Sequence, residues 1–364
     1  MTGITIMTLT TEQYVGLIQG LHHITLVTSN EEVNRRFYTE ILGLRRVKLT
    51  VNQDDVYHRH LFYADDKATT GSAITFFEWP HMRPGKVGLG SPHHLAYSTP
   101  RFDSLPRWAS WLKQKGVSVE GPYVRDNRTS IYLRDPDGVI VEITSPNSGE
   151  VKQDYASESF QNLPSVNAIS SEMKLATFHH ASPLTFDPET TSKFFEKFLG
   201  LTDKFTITNP DLPSTNILGI GSPERSGFLR YLAIPRPPEG YVGNGSIHHI
   251  AMAVEDDEAQ SKILRRLNQV GIENSGIIDR FWFHSLYFRD PDGNLLEIAT
   301  KNPGYAVDES PDRLGTSLVL PKWIEPRRDE IEAALSRTDA NNRARWPPSY
   351  PKLASPPETL PRER

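Results

Sequence analysis

The chain has 364 residues, 37% of them hydrophobic and 23% charged, with a formal net charge of −5. That composition suits a globular protein with room for two ordinary domains, and it lacks the basic stripe of a nucleic-acid binder. There is no cysteine, which excludes disulfides, thiolate chemistry and iron–sulfur clusters, so any metal must be held by nitrogen and oxygen.

Residues 1–19 read as an N-terminal extension. The opening MTGITIMTLTTEQYVG has neither a charged n-region nor an apolar h-region, so it does not read as a secretory signal. No apolar run reaches the roughly 18 residues that span a bilayer, and the expectation is a cytoplasmic protein with no membrane partner. Four modules follow, near 20–90, 91–150, 177–240 and 246–302, giving a first half over 20–150 and a second over 177–302. Each opens on a strand carrying a histidine pair. The apolar periodicity then predicts helices over 30–42, 103–115, 187–199 and 256–270, and alternation predicts strands such as 72–80 and 129–135. Two DPDG segments read as tight turns, each leading into a strand that carries a glutamate. Residues 151–176 are polar and aperiodic and read as a linker. A C-terminal extension over 303–337 holds one amphipathic helix at 325–336, and the Pro- and Arg-rich tail, 338–364, is expected to be disordered.

The histidine pairs carry the chemistry. His22-His23, His93-His94, His179-His180 and His248-His249 account for eight of the twelve histidines. Two pairs lead into nearly the same distal segment, YLRDPDGVIVEIT (132–144) and YFRDPDGNLLEIAT (287–300); His94 to Glu142 and His249 to Glu297 are both 48 residues. The other two lead into matching helices, FYTEILGL (37–44) and FFEKFLGL (194–201), each 15 residues past its first histidine. Histidine and glutamate delivered together by repeats is a way to hold a divalent metal. Alternation along a strand puts the second histidine of each pair on a face of small and polar residues (His23-Thr25, His94-Ala96, His180-Ser182, His249-Ala251). The opposite faces, such as His22-Ile24-Leu26, are apolar and should pack under a helix, leaving the first histidine packed or behind the ligand. The plain alternative is a set of hydrogen-bonded core residues, but a buried unpaired glutamate is costly.

A strand bearing histidine, a helix, and three more strands ending in glutamate resembles the βαβββ module of the vicinal oxygen chelate superfamily. LHHITLVTSN, FYTEILGLRRVKLTVNQDD, ITFFEWP, HHIAMAV, DRFWFHSLYFRDPDGNLLEIAT and LGTSLVLPKWIEPRRDEIE are similar, over about residues 18–336, to ring-cleaving dioxygenases that open hydroquinones. The resemblance implies an α+β fold, four βαβββ modules forming two cupped mixed-sheet barrels. It implies Fe(II), with Mn2+ or Zn2+ as alternatives, held by His23, His249 and Glu297. It implies catalytic roles for His22, His248, Arg280 and Tyr287, and substrate contacts from Thr25, Arg280 and Tyr287. The partners implied are a small aromatic substrate and O2.

Several alternatives stay open in the sequence. If modules one and four pair, so do two and three, and His94, Glu142 and His180 form a second set: either a second metal site or a metal-free relic of duplication. If modules pair in chain order, the site becomes His180, His249 and Glu297. A glyoxalase-like metal-dependent isomerase or lyase, or a non-enzymatic aromatic-binding protein, would use the same scaffold. His58, His60 and His284 stand in unmatched contexts and read as structural or solvent-facing. The aspartates of the DPDG segments read as turn residues. Association into a homo-oligomer is undecided.

Overall fold

The computed structural model describes residues 15–125, 127–147, 158–202, 204–208, 216–220, 227–344 and 346–351. Module one comprises β1 (Ile18–Thr28), α1 (Glu31–Arg36), β2 (Arg45–Asn52), β3 (Asp55–Ala64) and β4 (Ala73–Glu78). Module two comprises β5 (His94–Ser98), α2 (Ser104–Gln114), β6 (Glu120–Arg125), β7 (Arg128–Arg134) and β8 (Ile140–Pro146). Module three comprises β9 (Phe178–Ser182), β10 (Leu184–Thr185), α3 (Pro188–Leu199), β11 (Lys204–Thr208), β12 (Asn216–Ile220) and β13 (Phe228–Ala233). Module four comprises β14 (Ile247–Val254), α4 (Asp257–Gln269), β15 (Asn274–Asp279), β16 (Phe283–Arg289) and β17 (Leu295–Pro303), and α5 (Arg328–Asn341) follows.

Local chemistry sets the helices. Asp256 caps α4 by accepting from the Ala259 N–H, and Asp257 and Glu258 sit in its first turn, where the helix dipole favours anions. Ala259, Ile263 and Leu267, spaced by four, form its buried stripe. In α3, Asp187 caps, Pro188 takes the first turn, and Gly200 ends the helix at φ 65°. The first helix departs from the expected continuous run over 30–42: after Arg36 it widens into a π-helical turn, Phe37–Ile41.

The strands form two curled mixed sheets, as the vicinal oxygen chelate fold requires. One has the order β15-β16-β17-β14-β1-β4-β3-β2, and the other β11-β12-β13-β9-β5-β8-β7-β6. Module one therefore pairs with module four through antiparallel β1 and β14, and module two with module three through β5 and β9. This order excludes the chain-order pairing and its mixed set of His180, His249 and Glu297. One apolar cluster, including Ile24 and Leu26 of β1, Leu95 and Tyr97 of β5, Trp108 of α2 and Ile263 of α4, joins the two sheets and their helices.

The polar segment read as a linker packs closely where it is described. Met173 and Leu175 are buried in that cluster, and Trp108 Nε1 donates to the Met173 carbonyl at 2.8 Å. The C-terminal helix, expected over 325–336, starts after a 3-10 turn, Glu325–Arg327, and continues to Asn341. Beyond it Trp346 lies under the Arg36 guanidinium and Tyr350 against Phe37, so part of the segment expected to be disordered is packed; 352–364 lie outside the described residues. Among the described residues no helix is long and apolar enough to cross a membrane.

Candidate metal centre

Strand register brings the first set together. His23 on β1 stands opposite Ala251 on β14, Ala251 opposite Glu297 on β17, and Glu297 opposite Tyr287 on β16; Thr25 stands opposite His249. Alternation puts all of these side chains on one face of the sheet. His23 Nε2 and His249 Nε2 lie 3.3 and 3.0 Å from Glu297 Oε2, and 3.4 Å from each other. Donor atoms bonded to one ion at about 2.1 Å and at right angles are about 3.0 Å apart, so this triangle fits one face of a metal's coordination shell.

The carboxylate supplies the sharper test. All three side chains are buried. Ser285 Oγ donates to Glu297 Oε1 at 2.5 Å, whereas Oε2 has no aligned hydrogen-bond donor among the described residues, although two imidazoles surround it. A bare carboxylate oxygen in such a place is costly, and a cation at the centre of the triangle removes that cost. Burial opposes ionisation of Glu297, but the His23 and His249 imidazoles hold its carboxyl well below the usual range.

The first histidines are not where simple alternation sends them. Leu21 and His23 face Met252 and Ala251, two residues against one, so His22 is the extra residue of a β-bulge. Thr25 and Leu26 face His249 and Ile247, which makes His248 the bulged residue on the other strand. Each ring is thereby turned edge-on to its neighbour: Nδ1 to Nδ1 is 2.8 Å in His22-His23 and in His248-His249. His22 packs on Phe283 and His248 on Phe77 and Trp79, rather than under a helix. One nitrogen of each contact must donate and the other accept. When a cation takes the Nε2 lone pairs of His23 and His249, their Nδ1 carries the proton and the first histidine accepts it, which fixes both tautomer and ring orientation. Burial lowers His22 and His248 to about 3, so both are neutral acceptors near pH 7.

A small cavity of about 30 Å³ opens beside the donor triangle, and His23, His249, His60, Arg280, Tyr287 and Phe77 are among its lining residues. Arg280 follows β15; its guanidinium makes a two-pronged bond to Asp54 (3.1 and 2.8 Å) and lies 5.6 Å from the Tyr287 ring centroid. Gln53 Nε2 fixes the Arg280 carbonyl at 2.9 Å, and the next residue, Phe281, takes φ 73°, a strained value for a bulky side chain. Burial, then the Glu297 charge, raises the Tyr287 hydroxyl, so it keeps its proton. Thr25 is fully buried, and its hydroxyl bonds Thr75 at 2.8 Å; Thr75 in turn reaches His60 Nε2 at 2.9 Å. Thr25 thus stands behind the wall, and His60, which the sequence left as structural or solvent-facing, forms part of it. Its face could have been read from His60 and Phe62 alternating on β3. His284 points elsewhere, to Asp257 at 2.5 Å.

The second set has the same shape. His180, Ala96, Glu142 and Tyr132 stand in the same register. His94 Nε2 and His180 Nε2 lie 3.1 and 3.2 Å from Glu142 Oε2 and 3.3 Å from each other. Ser130 Oγ donates to Glu142 Oε1 at 2.6 Å. One neighbour differs: Arg230 points a guanidinium nitrogen at the triangle, 3.3 Å from both Glu142 Oε2 and His94 Nε2. Sequence reasoning missed it, because no repeated motif marks β13.

Two curled sheets of paired modules, each with a buried His/His/Glu triangle, define a metal-binding scaffold. The chain belongs to the Glyoxalase/Bleomycin resistance protein/Dioxygenase superfamily, whose family model matches residues 20–143 and 177–298. It is 32% identical over 325 residues to the "Putative ring-cleaving dioxygenase MhqA" of Bacillus subtilis (strain 168), covering 87% of this chain and 98% of the relative. It is 26% identical over 325 residues to a chlorohydroquinone/hydroquinone 1,2-dioxygenase of Sphingobium indicum, covering 86% and 95%. The crystal structure of a "putative dioxygenase" from Bacillus subtilis matches with a TM-score of 0.74 at 29% identity, over 87% of this chain and 96% of that one.

Proposed function

We propose that the chain is an Fe(II)-dependent dioxygenase that cleaves a hydroquinone- or catechol-like ring, with the metal held by His23, His249 and Glu297. The observation that carries this reading is the bare Glu297 oxygen facing two imidazoles that line a cavity. The names of the similar proteins give the reaction class and the kind of ring. Iron bound by two histidines and one carboxylate would keep open positions and supply the electron transfer that joins O2 to an electron-rich ring.

The protein's share is positioning and charge. Phe77 and Phe283 wall the cavity and exclude water from a flat ring. The protonated Tyr287 hydroxyl donates a hydrogen bond to a ring oxygen, and the Arg280 guanidinium, clamped by Asp54, offsets negative charge that develops there. His22 and His248 hold the protons of the ligand imidazoles at Nδ1, so that Nε2 faces the cavity. Thr25 acts through Thr75 on the position of His60.

The test is to load the protein anaerobically with Fe(II) and follow O2 consumption on adding substituted hydroquinones and catechols. Substrate-dependent uptake is expected. Bound metal with no uptake for any such ring would sink the dioxygenase reading and favour an isomerase or lyase on this scaffold.

A further inference from the structure

We propose that Arg230 is the resident cation of the second His/His/Glu set, which makes His94, Glu142 and His180 a latent divalent transition-metal site closed by the protein's own guanidinium. The inference takes from the proposed function only the reading of such triangles as metal-binding.

The two His/His/Glu sets are two copies of one design. β13 runs parallel to β9 with Phe228 opposite His180, as β4 runs parallel to β1 with Ala73 opposite His23. Two residues on, Arg230 stands where the first copy has Thr75. Elsewhere the copies correspond. Ser130 binds Glu142 as Ser285 binds Glu297. The Tyr132 ring lies 5.8 Å from His94, and the Tyr287 ring lies 5.6 Å from His249. Arg125 and Arg280 each precede their tyrosine by seven residues, and Arg125 Nη1 donates to Tyr132 Oη at 3.1 Å. His93-His94 and His179-His180 keep the 2.8 Å contact between Nδ1 atoms. No ligand or supporting histidine has been lost, so the missing feature is room for a cation.

Arg230 supplies that charge itself. It is 6% exposed, and one guanidinium nitrogen reaches both the carboxylate oxygen and the imidazole lone pair that a metal would need. The guanidinium gives Glu142 Oε2 a charged donor, whereas Glu297 Oε2 has no aligned donor among the described residues. A guanidinium does not lose its proton in proteins, so a metal ion could enter only by expelling a buried cation. In the first copy the threonine hydroxyls turn to each other and to His60 and leave the triangle clear.

The test is Co(II) titration of the full-length metal-free protein under anaerobic conditions, read by bound metal per chain and by visible ligand-field absorption. The wild type is expected to bind one Co(II) and Glu297→Gln none, while Arg230→Thr, which installs the first copy's residue, binds two. Two ions in the wild type, or one retained by Glu297→Gln, would overturn the inference. So would a folded Arg230→Thr that binds no more than the wild type. If Arg230→Thr does not fold, the Glu297→Gln titration still decides, because any ion it holds must sit in the second set. No ion in the wild type but one in Arg230→Thr would support the latent site while removing the first metal centre; one ion in each would do the reverse.

Discussion

Glu297 combines a bound oxygen and a bare one, and the two have different jobs. Ser285 fixes the orientation through Oε1, and Oε2 is where the proposed cation would bind. Glu297→Gln keeps the shape and removes the charge, so it should cut metal retention by at least about 100-fold, more than loss of an orienting partner. Metal counted after gel filtration checks this, and retention at the wild-type level would contradict it. Tyr287→Phe leaves the triangle untouched; it should keep the metal and lower kcat/KM by about 10²-fold, the size expected for loss of one preorganised donor. Steady-state kinetics of the iron-loaded variant decide that. The triangle was legible in the sequence, because equal His-to-Glu spacing in two repeats leaves little room for coincidence. His60, Thr75 and Arg230 were not, since each acts through a neighbour on another strand and no motif repeats around it.

At the level of elements, two bulges shape the centre. Alternation correctly sends His23 and His249 to the cavity, but it cannot show that β1 and β14 each carry an extra residue, which is why His22 and His248 turn towards the ligands instead of the helices. The segment after β17 is a second case. Lys48 on β2 is fully buried, and its ammonium meets Asp308 at 2.7 Å and Glu309 at 2.5 Å. Asp308 also accepts from Trp282 Nε1 at 3.0 Å, on the cavity wall. Lys48→Ala would leave two carboxylates without their cation, and removing one partner of a buried pair costs about 3–5 kcal/mol. Urea denaturation should show that loss; a cost below about 1 kcal/mol would mean the segment is not anchored there. Helix limits over 103–115, 187–199 and 256–270 were readable to about a residue from caps and apolar stripes. The Lys48 cluster was not, because its partners lie some 260 residues away.

Across the whole molecule, the DPDG turns hold the two sheets together. Asp137, after β7, accepts from Thr28 and Ser29 at the end of β1, and Asp292, after β16, accepts from Phe186 and Thr191 in module three. The turns themselves were visible in the sequence, but their reach to the other sheet was not. Burial raises Asp135 to about 7 and Asp290 to about 6, so their contribution to stability is present at low pH and is lost as pH rises through those values. The histidines act in the opposite sense and outnumber them. Burial lowers His22, His179 and His248 to about 3, and it lowers His60, His93, His180 and His249 as well. Their unfolded value is about 6.5, so this stability is complete above that pH and is lost as pH falls towards 3. Each uncompensated histidine costs on the order of 1.4 kcal/mol per pH unit. The urea midpoint of the metal-free protein should therefore fall between pH 7 and pH 5; a midpoint that rises on acidification would contradict this. The central claim, that the His23/His249/Glu297 set supports ring cleavage by O2, is tested most directly by turning over a substituted hydroquinone under 18O2 with the iron-loaded protein. The expected result is a ring-opened acid carrying 18O, absent with Glu297→Gln. An unlabelled product, or a labelled one formed equally well by Glu297→Gln, would contradict it.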